Sequence, residues 1–225
     1  MIKSKLHLPI LPLQDIVFFP HTVIPITLEN PAAIRIIKDC LEFNTPVAMP
    51  LVDGYSMFEP GSPRRIGSIG IPIVLEEGPG FLRVLISGIG KVKLLNPVQE
   101  IPYAIYEAEV LYDTDEKKYP NFKEDSDKLT FMLKEWINEN VIEASERQSF
   151  LANLNTINQT LDYICMFLLN DNDVKQHILE TQSFNARMKL IKMLFSKYDA
   201  NILDYKALGI IKEYQSIELT AKVFH

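Results

Sequence analysis

Residues 88–91 read Gly-Ile-Gly-Lys, a pattern with the potential to bind phosphate. A P-loop needs a glycine five residues before the glycine of its Gly-Lys pair and a hydroxyl residue after the lysine, but these positions hold Leu85 and Val92. A dinucleotide-binding fingerprint needs a third glycine where Lys93 stands. The sequence therefore argues against a phosphate cradle here and favours a strand–turn–strand in which the two glycines allow a tight reversal.

The residues that bind metals or act as nucleophiles are scattered along the chain. The four histidines lack metal-ligand spacing, and Asp171 and Asp173 alternate as calcium ligands do but without the later Gly and Glu of a calcium loop. Cys40 and Cys165 lie among apolar residues and are predicted to be small buried side chains. No Gly-x-Ser-x-Gly motif occurs. We therefore predict a chain that is not an enzyme and has no catalytic, metal-binding or cofactor-binding residues.

The composition is that of a folded protein. The 225 residues include 23 Lys and Arg against 29 Asp and Glu, a net charge of −6, and 47% are hydrophobic. This apolar content excludes wholesale disorder. The acidic balance argues against generic nucleic-acid binding, which needs concentrated Lys and Arg. No apolar run approaches the roughly 20 residues of a membrane span, and prolines interrupt any signal-peptide core, so we expect no membrane partner and a cytoplasmic location.

The elements that would position a site differ between the two halves of the chain. The first half is rich in Pro, Gly and β-branched residues, and its short apolar runs are typical of strands. These runs are 23–28, 46–51, 66–75, 81–89 and 103–112. A turn at 77–80 predicts a hairpin, and Asn30 followed by Pro31 predicts the start of a helix. Many strands with a single helix predict a rolled-up sheet or pseudo-barrel.

The second half has helical periodicity. Apolar residues recur every three or four positions in stretches that begin at Leu129, Leu154, Val174 and Phe184. They predict a bundle of four antiparallel helices, and Asp171 lies in a turn that offers an N-cap. The expected fold class is α+β. Its expected parts are a β domain at 1–113, a linker at 114–126, a helical bundle at 127–198 and a helical tail at 199–225.

The segment at 8–25 combines four prolines with a dense apolar series. Because proline cannot donate a sheet hydrogen bond, we expect this segment at sheet edges and in loops, where some of its apolar side chains face a groove. The alternative is that its two adjacent phenylalanines only plug one end of the barrel. With a methionine from a predicted loop, the polypeptide-binding candidates are Phe18, Phe19, Pro20, Ile24 and Met57.

The same segment resembles the opening motif of the N-terminal domain of Lon proteases. Residues 8–21 read LPILPLQDIVFFPH and are followed by VIPI at 23–26. Further motifs of this family are matched in the same order, over about residues 6–198. They are RIGSIG at 65–70, VLISGIGKV at 84–92, LDYI at 161–164, DVKQHILE at 173–180 and NARM at 185–188. Gln14 and Lys91 depart from the pattern, since the family usually has arginine at both positions.

The resemblance implies a PUA-like pseudo-barrel with one helix, followed by a helical bundle. It also implies a role in recognising unfolded or misfolded polypeptides, in connection with ATP-dependent proteolysis and protein quality control. A complete Lon protease continues into an ATPase module and a Ser–Lys peptidase domain, which the remaining residues cannot hold. We therefore expect a free-standing, noncatalytic substrate-binding domain.

The expected mechanism is burial of apolar segments in a groove formed by the proline-rich opening and the junction between barrel and bundle. Such binding would be weak and tolerant of sequence once ordering costs are subtracted. The sequence does not specify the oligomeric state.

Two other hypotheses remain open. PUA-like folds occur in RNA-associated proteins, so the basic residues near the hairpin are candidates for an RNA-binding face, although pairing with Glu76 and Glu77 is favoured. These residues are Arg64, Arg65, Arg83, Lys91 and Lys93. Alternatively, the chain is an adaptor or assembly module whose tail from Ile202 onward docks a partner such as a full-length Lon protease.

Overall fold

The computed structural model describes residues 5–53, 61–114, 117–152 and 154–197. The chain divides into two units, Met1–Tyr112 and Asp113–His225. The predicted tail at 199–225 and Met57 lie outside the described residues.

Unit 1 contains strands and one helix. The strands are β1 (Lys5–Pro9), β2 (Val23–Leu28), β3 (Val47–Met49), β4 (Val52–Asp53), β5 (Ser62–Pro63), β6 (Ile66–Gly78), β7 (Phe81–Gln99) and β8 (Ile105–Leu111), and the helix is α1 (Pro31–Glu42). Strands β1, β8, β7, β6 and β3 are neighbours in that order in one sheet, and β2 also pairs with β7. All these pairings are antiparallel. The long strand β7 is therefore the centre of the unit.

Within the part of unit 1 that the structure describes, this sheet is not closed into a barrel. Its path ends at β1 on one side and β3 on the other. Two isolated parallel bridges link the segment after β1 to the segment around β3, namely Ile10 with Ala48 and Leu13 with Leu51. The pseudo-barrel expected from the sequence is thus an open antiparallel sheet whose two ends are joined at separate points.

Local signals in unit 1 are confirmed. The Asn30 side chain accepts a hydrogen bond of 2.8 Å from the amide of Ala32, and Pro31 is the first residue of α1. The turn at 77–80 joins β6 to β7, and Gly80 has a positive φ of 83° that favours glycine. A short-range capping or turn pattern therefore specifies both the helix start and the hairpin.

The predicted strand–turn–strand at 88–91 is wrong. β7 runs through this segment without a turn. Its register against β6 shifts between Ile69 and Gly70, which leaves Ile89 as the extra residue of a β-bulge. The strand bends locally at the bulge but continues to pair with β8 beyond it.

Unit 2 is helical in its described residues. Its helices are α2 (Phe122–Asn140), α3 (Ala144–Ala152), α4 (Ile157–Leu168), α5 (Asn172–Glu180) and α6 (Phe184–Lys197). Four of them carry the predicted apolar stripes, whereas no apolar stripe predicted α3. The start of α2 at Phe122 lies inside the segment 114–126 assigned to a linker from the sequence. Asp171 caps α5 by accepting hydrogen bonds from the amides of Asp173 and Val174, as predicted. With strands in unit 1 and helices in unit 2, the predicted α+β class is confirmed.

The core of unit 2 lies where α4 contacts α2, α5 and α6. The ring of Phe167 on α4 stacks on Trp136 of α2, with 5.8 Å between ring centroids, and on Tyr163 one turn earlier, with 5.5 Å. Stacked aromatic pairs add to the free energy gained by burying their surface. This aromatic group fixes α2 against α4.

Several polar residues from the Lon-like motifs are buried in this core. Asp162, Lys175 and Arg187 are each about 5% exposed. Lys175 Nζ donates a hydrogen bond of 3.3 Å to the Met166 carbonyl, and Arg187 donates one to the Asp113 carboxylate. Because a buried charge is costly unless it is paired, these residues stabilise the packing of unit 2.

Candidate polypeptide-binding surface

The residues that the sequence singled out lie in the interior of unit 1. Phe18 and Phe19 are each 1% exposed, Ile24 is 2% exposed, and Pro20 is also buried. Met57 lies outside the described residues. A polypeptide bound to the surface of unit 1 in this conformation does not touch the two phenylalanines.

Hydrogen bonds fix the two phenylalanines in this position. Thr22 Oγ1 donates to the Phe19 carbonyl at 2.7 Å, and Ser68 Oγ on β6 donates to the Phe18 carbonyl at 2.5 Å. The backbone of Gly88 on β7 approaches the same turn so closely that a Cβ there would lie 2.7 Å from the Phe19 carbonyl oxygen. The carbonyls of Phe18 and Phe19 are thus satisfied inside the protein, which favours burial of this apolar turn.

An exposed apolar surface lies elsewhere in unit 1, on the three adjacent strands β2, β7 and β6. Ser87 on β7 lies opposite Val23 of β2 on one side and opposite Ile71 of β6 on the other. Two residues earlier on β7, Leu85 lies opposite Ile73 of β6, on the same face of the sheet. Ile71 and Ile73 are 47% and 50% exposed, and Ile89 at the bulge is 47% exposed. Val23 and Leu85 are half-buried. We call Val23, Ile71, Ile73, Leu85 and Ile89 the outer apolar face.

Strand alternation explains which side chains reach this face. Along β7, Leu82, Val84 and Ile86 point inward and are buried, while the residues between them are partly exposed. On an antiparallel sheet with one solvated face, the outward positions are usually polar. Here β6 is apolar at every position from 71 to 75, so its outward side is apolar as well. This unbroken apolar run was the sequence signal for the face, although the run had been interpreted only as a strand.

The edge of β6 beside this face lacks a partner strand in the described parts of the chain. β3 pairs only with residues 68–70 of β6, and the remainder of β6 pairs with β7 alone. Pro72 lies in this unpaired stretch and has no N–H group, so it weakens the addition of another strand. Contact with a ligand here would therefore depend mainly on apolar side chains rather than on backbone pairing.

The basic residues proposed for RNA binding do not share one exposed patch. Lys91 is 4% exposed. Arg83 lies opposite Glu76 in the register of β6 and β7, and Lys93 lies opposite Glu109 in the register of β7 and β8. Cross-strand neighbours of opposite charge attract one another and reduce the local positive potential.

The two cysteines are poor candidates for nucleophiles. Both are free and buried, which confirms the prediction of small buried side chains. Burial raises the pKa of Cys40 to about 11, against a smaller opposing effect of its hydrogen bond with Thr45. Burial likewise raises the pKa of Cys165 well above its usual value. At neutral pH both therefore hold the thiol form, which is the unreactive one.

The described residues also lack the features of a metal site and of a membrane span. They contain no group of three or more His, Cys, Asp or Glu side chains that could hold a metal ion. None of the helices described is long and apolar enough to cross a bilayer.

Comparison with known proteins places this chain in a family. The chain is 26% identical to the Lon protease of Anaeromyxobacter dehalogenans over 196 residues, and 26% identical to that of Dictyoglomus thermophilum over 197 residues. These alignments cover 84% and 82% of this chain but 23% of each relative, so the chain spans about a quarter of the length of these relatives.

Solved structures give the same fold. The N-terminal domain of Mycobacterium avium complex Lon protease matches 86% of this chain with a TM-score of 0.63 at 17% identity. The Lon N-terminal domain protein from Xanthomonas campestris matches 86% with a TM-score of 0.59 at 14% identity. The family model described as the ATP-dependent protease La (LON) substrate-binding domain matches residues 7–197. Since that match spans most of the length of this chain, the chain belongs to the Lon substrate-binding domain family.

Proposed function

We propose that this chain is a noncatalytic polypeptide-binding domain that recognises apolar segments of unfolded or misfolded proteins through the outer apolar face. Membership of a family described as a protease substrate-binding domain supports this, because the substrates of a protease are polypeptides. The observation that carries the proposal is the exposure of Ile71, Ile73 and Ile89, which are 47%, 50% and 47% exposed on neighbouring strands.

Such binding is weak and tolerant of sequence. Burying an isoleucine completely contributes about 1.5–3 kcal/mol, and about half of each of these three side chains is already covered. Covering the rest contributes about 2–4 kcal/mol in total, from which the cost of ordering the bound segment is subtracted. With Pro72 on the neighbouring edge, the backbone of the ligand adds little. A domain of this kind samples many apolar segments and releases them quickly.

The test is binding of a reduced, unfolded protein against the folded form of the same protein. We expect the full chain to bind the unfolded form only. The double variant Ile71→Ser/Ile73→Ser should weaken binding by about tenfold, the equivalent of about 1.4 kcal/mol. Val98→Ser is the control, because Val98 is likewise an exposed strand residue, 51% exposed on β7, but lies outside the outer apolar face.

Two results would contradict the proposal. One is equal or absent binding to the folded and unfolded forms. The other is that neither the double serine variant nor the Val98→Ser control changes the affinity for the unfolded protein. Circular dichroism and a thermal melt of each variant separate loss of binding from loss of fold.

We also propose that the chain does not itself hydrolyse ATP or peptide bonds. The region of the Lon proteases that it resembles is the N-terminal quarter of those proteins, and no candidate catalytic residues were found in its sequence. Turnover of ATP or of a peptide by the purified chain would contradict this. Delivery of bound segments to a full-length Lon protease stays a prediction, since the tail from Ile202 lies outside the described residues.

A further inference from the structure

A shallow cavity that is open to solvent lies in unit 2, between the segment before α2 and the helix α6. Its volume is about 590 Å³, and its polar lining consists of Tyr119, Asn121, Asp125, Lys189 and Lys192. It is separate in sequence from the outer apolar face, and all its lining residues belong to unit 2.

The one carboxylate of this cavity is already neutralised. Asp125 is 3% exposed, its Oδ2 accepts a hydrogen bond of 2.8 Å from the Tyr119 hydroxyl, and its Oδ1 lies 2.6 Å from Lys192 Nζ. The hydrogen bond from Lys192 is the main cause that holds the pKa of Asp125 below its usual value, against the opposing effect of burial. The carboxylate is therefore ionised at neutral pH, and both of its oxygens are engaged by the protein.

The two lysines make the cavity positive. Lys189 Nζ lies 5.0 Å from the centre of the Tyr119 ring, a cation–π contact that leaves its ammonium protons available. The side chain of Lys192 remains 46% exposed while it pairs with Asp125. Among the described residues that line the cavity, two ammonium groups and one carboxylate leave a net charge of +1, in a chain whose total charge is −6.

The N-terminus of α2 adds to this positive potential. Asn121 occupies the N-cap position, but its side chain makes no capping hydrogen bond. Asparagine at an N-cap normally accepts a bond from the first turn. Here the amide of Phe122 donates instead to the Tyr119 carbonyl at 3.0 Å, and the Asn121 side chain leaves the next amides uncapped, in a first turn that also carries Glu124 and Asp125. The positive end of the helix dipole and the two lysines thus act on the same cavity.

The remaining lining is apolar. Pro120 and Met193 border the cavity together with the ring of Tyr119. A ligand that fits must therefore present an anionic group to the lysines and an apolar body to these side chains. The net charge of +1 matches one negative charge, whereas a phosphate dianion would leave the site negative.

We propose that this cavity binds the carboxylate of a ligand with an apolar body, either the C-terminal carboxylate of a polypeptide that ends in an apolar residue or a free organic acid. Lys189 and Lys192 hold the carboxylate through charge-assisted hydrogen bonds. Asp125 and Tyr119 position the two lysines rather than touch the ligand. This site does not depend on the outer apolar face, since it selects by charge and lies in the other unit.

The test uses calorimetry on the full chain with three probes: an N-acetylated Ala-Ala-Leu-Leu peptide with a free carboxylate, the same peptide as a C-terminal amide, and hexanoate. We expect the free-acid peptide to bind about tenfold more tightly than the amide, because only the acid carries the charge. Lys189→Gln should weaken binding of the acid about fivefold to tenfold. Lys134→Gln is the matched control, since it removes an exposed lysine of α2 that does not line the cavity.

The outcomes test whether the cavity binds a carboxylate and identify where that carboxylate comes from. Equal binding of acid and amide, or an acid affinity that Lys189→Gln leaves unchanged, would overturn the proposal. Displacement of the peptide by hexanoate at similar concentrations identifies a free acid as the source of the carboxylate. Failure of hexanoate to compete identifies the polypeptide terminus. Lys192→Gln provides a second variant, and its circular dichroism spectrum and thermal melt report whether loss of the Lys192–Asp125 ion pair disturbs the fold.

Discussion

Two apolar segments of unit 1 have opposite fates in the structure. Phe18 and Phe19 belong to a proline-rich turn, and each is 1% exposed. Ile71 and Ile73 belong to a regular strand, and they are 47% and 50% exposed. The difference comes from hydrogen bonding and strand alternation rather than from hydrophobicity, since the Thr22 and Ser68 hydroxyls donate to the carbonyls of the turn and the pleat of β6 directs alternate residues outward. The irregular segment is therefore core, and the regular strand provides the surface.

The largest expected effect is on stability at the buried segment. Phe18→Ala should lower the free energy of unfolding by about 3–5 kcal/mol, because it leaves a cavity in a packed interior. Ile73→Ala should change it by no more than about 1 kcal/mol, because half of that side chain is in solvent. Urea unfolding followed by circular dichroism measures both. Similar losses for the two variants would contradict the contrast between the segments.

A smaller effect is expected where the strand meets the turn. Gly88→Ala should cost about 1–3 kcal/mol, since its Cβ would lie 2.7 Å from the Phe19 carbonyl oxygen. Gly90→Ala is the matched control on the same strand, because the nearest atoms to its Cβ would be 3.8 Å away. Thermal melts of the two variants sharpen the comparison. An equally stable Gly88→Ala variant would show that the turn does not press against β7.

The smallest effect concerns one hydrogen bond. Ser68→Ala removes the donor to the Phe18 carbonyl and leaves a buried acceptor without this partner. We expect a loss of about 1–2 kcal/mol in the free energy of unfolding. Thr27→Ala on the exposed side of β2 serves as the control and should stay within about 0.5 kcal/mol. Equal stability of both variants would show that the bond from Ser68 to the Phe18 carbonyl does not help to hold the buried segment in place.

Short-range patterns predicted much of the fold. The cap at Asn30, the turn at 77–80 and the cap at Asp171 each depend on a few consecutive residues, and each is present. Four of the helices in unit 2 followed from their apolar stripes. α3 was missed because its residues, Ala144–Ala152, have no clear apolar period.

The errors arose where a distant contact decides the outcome. The glycines at 88–91 suggested a turn, but Gly88 is required by the approach of Phe19, which is 69 residues earlier in the chain. The proline-rich opening left two positions possible for its phenylalanines, facing a groove or plugging the barrel, and the hydrogen bond from Ser68 on β6 to the Phe18 carbonyl holds Phe18 inside. No local pattern contains these partners. The outer apolar face, by contrast, has a local signal in the unbroken apolar run at 71–75, although that run predicted only a strand.

The most direct test of the account is a methyl NMR titration of the isoleucine-labelled chain with a reduced, unfolded protein. The central claim is that polypeptides bind to the outer apolar face. It predicts that the methyl signals of Ile71, Ile73 and Ile89 shift, while those of the buried Ile24 and Ile86 stay in place. If other signals shifted while the methyl signals of Ile71, Ile73 and Ile89 stayed in place, the claim would be contradicted.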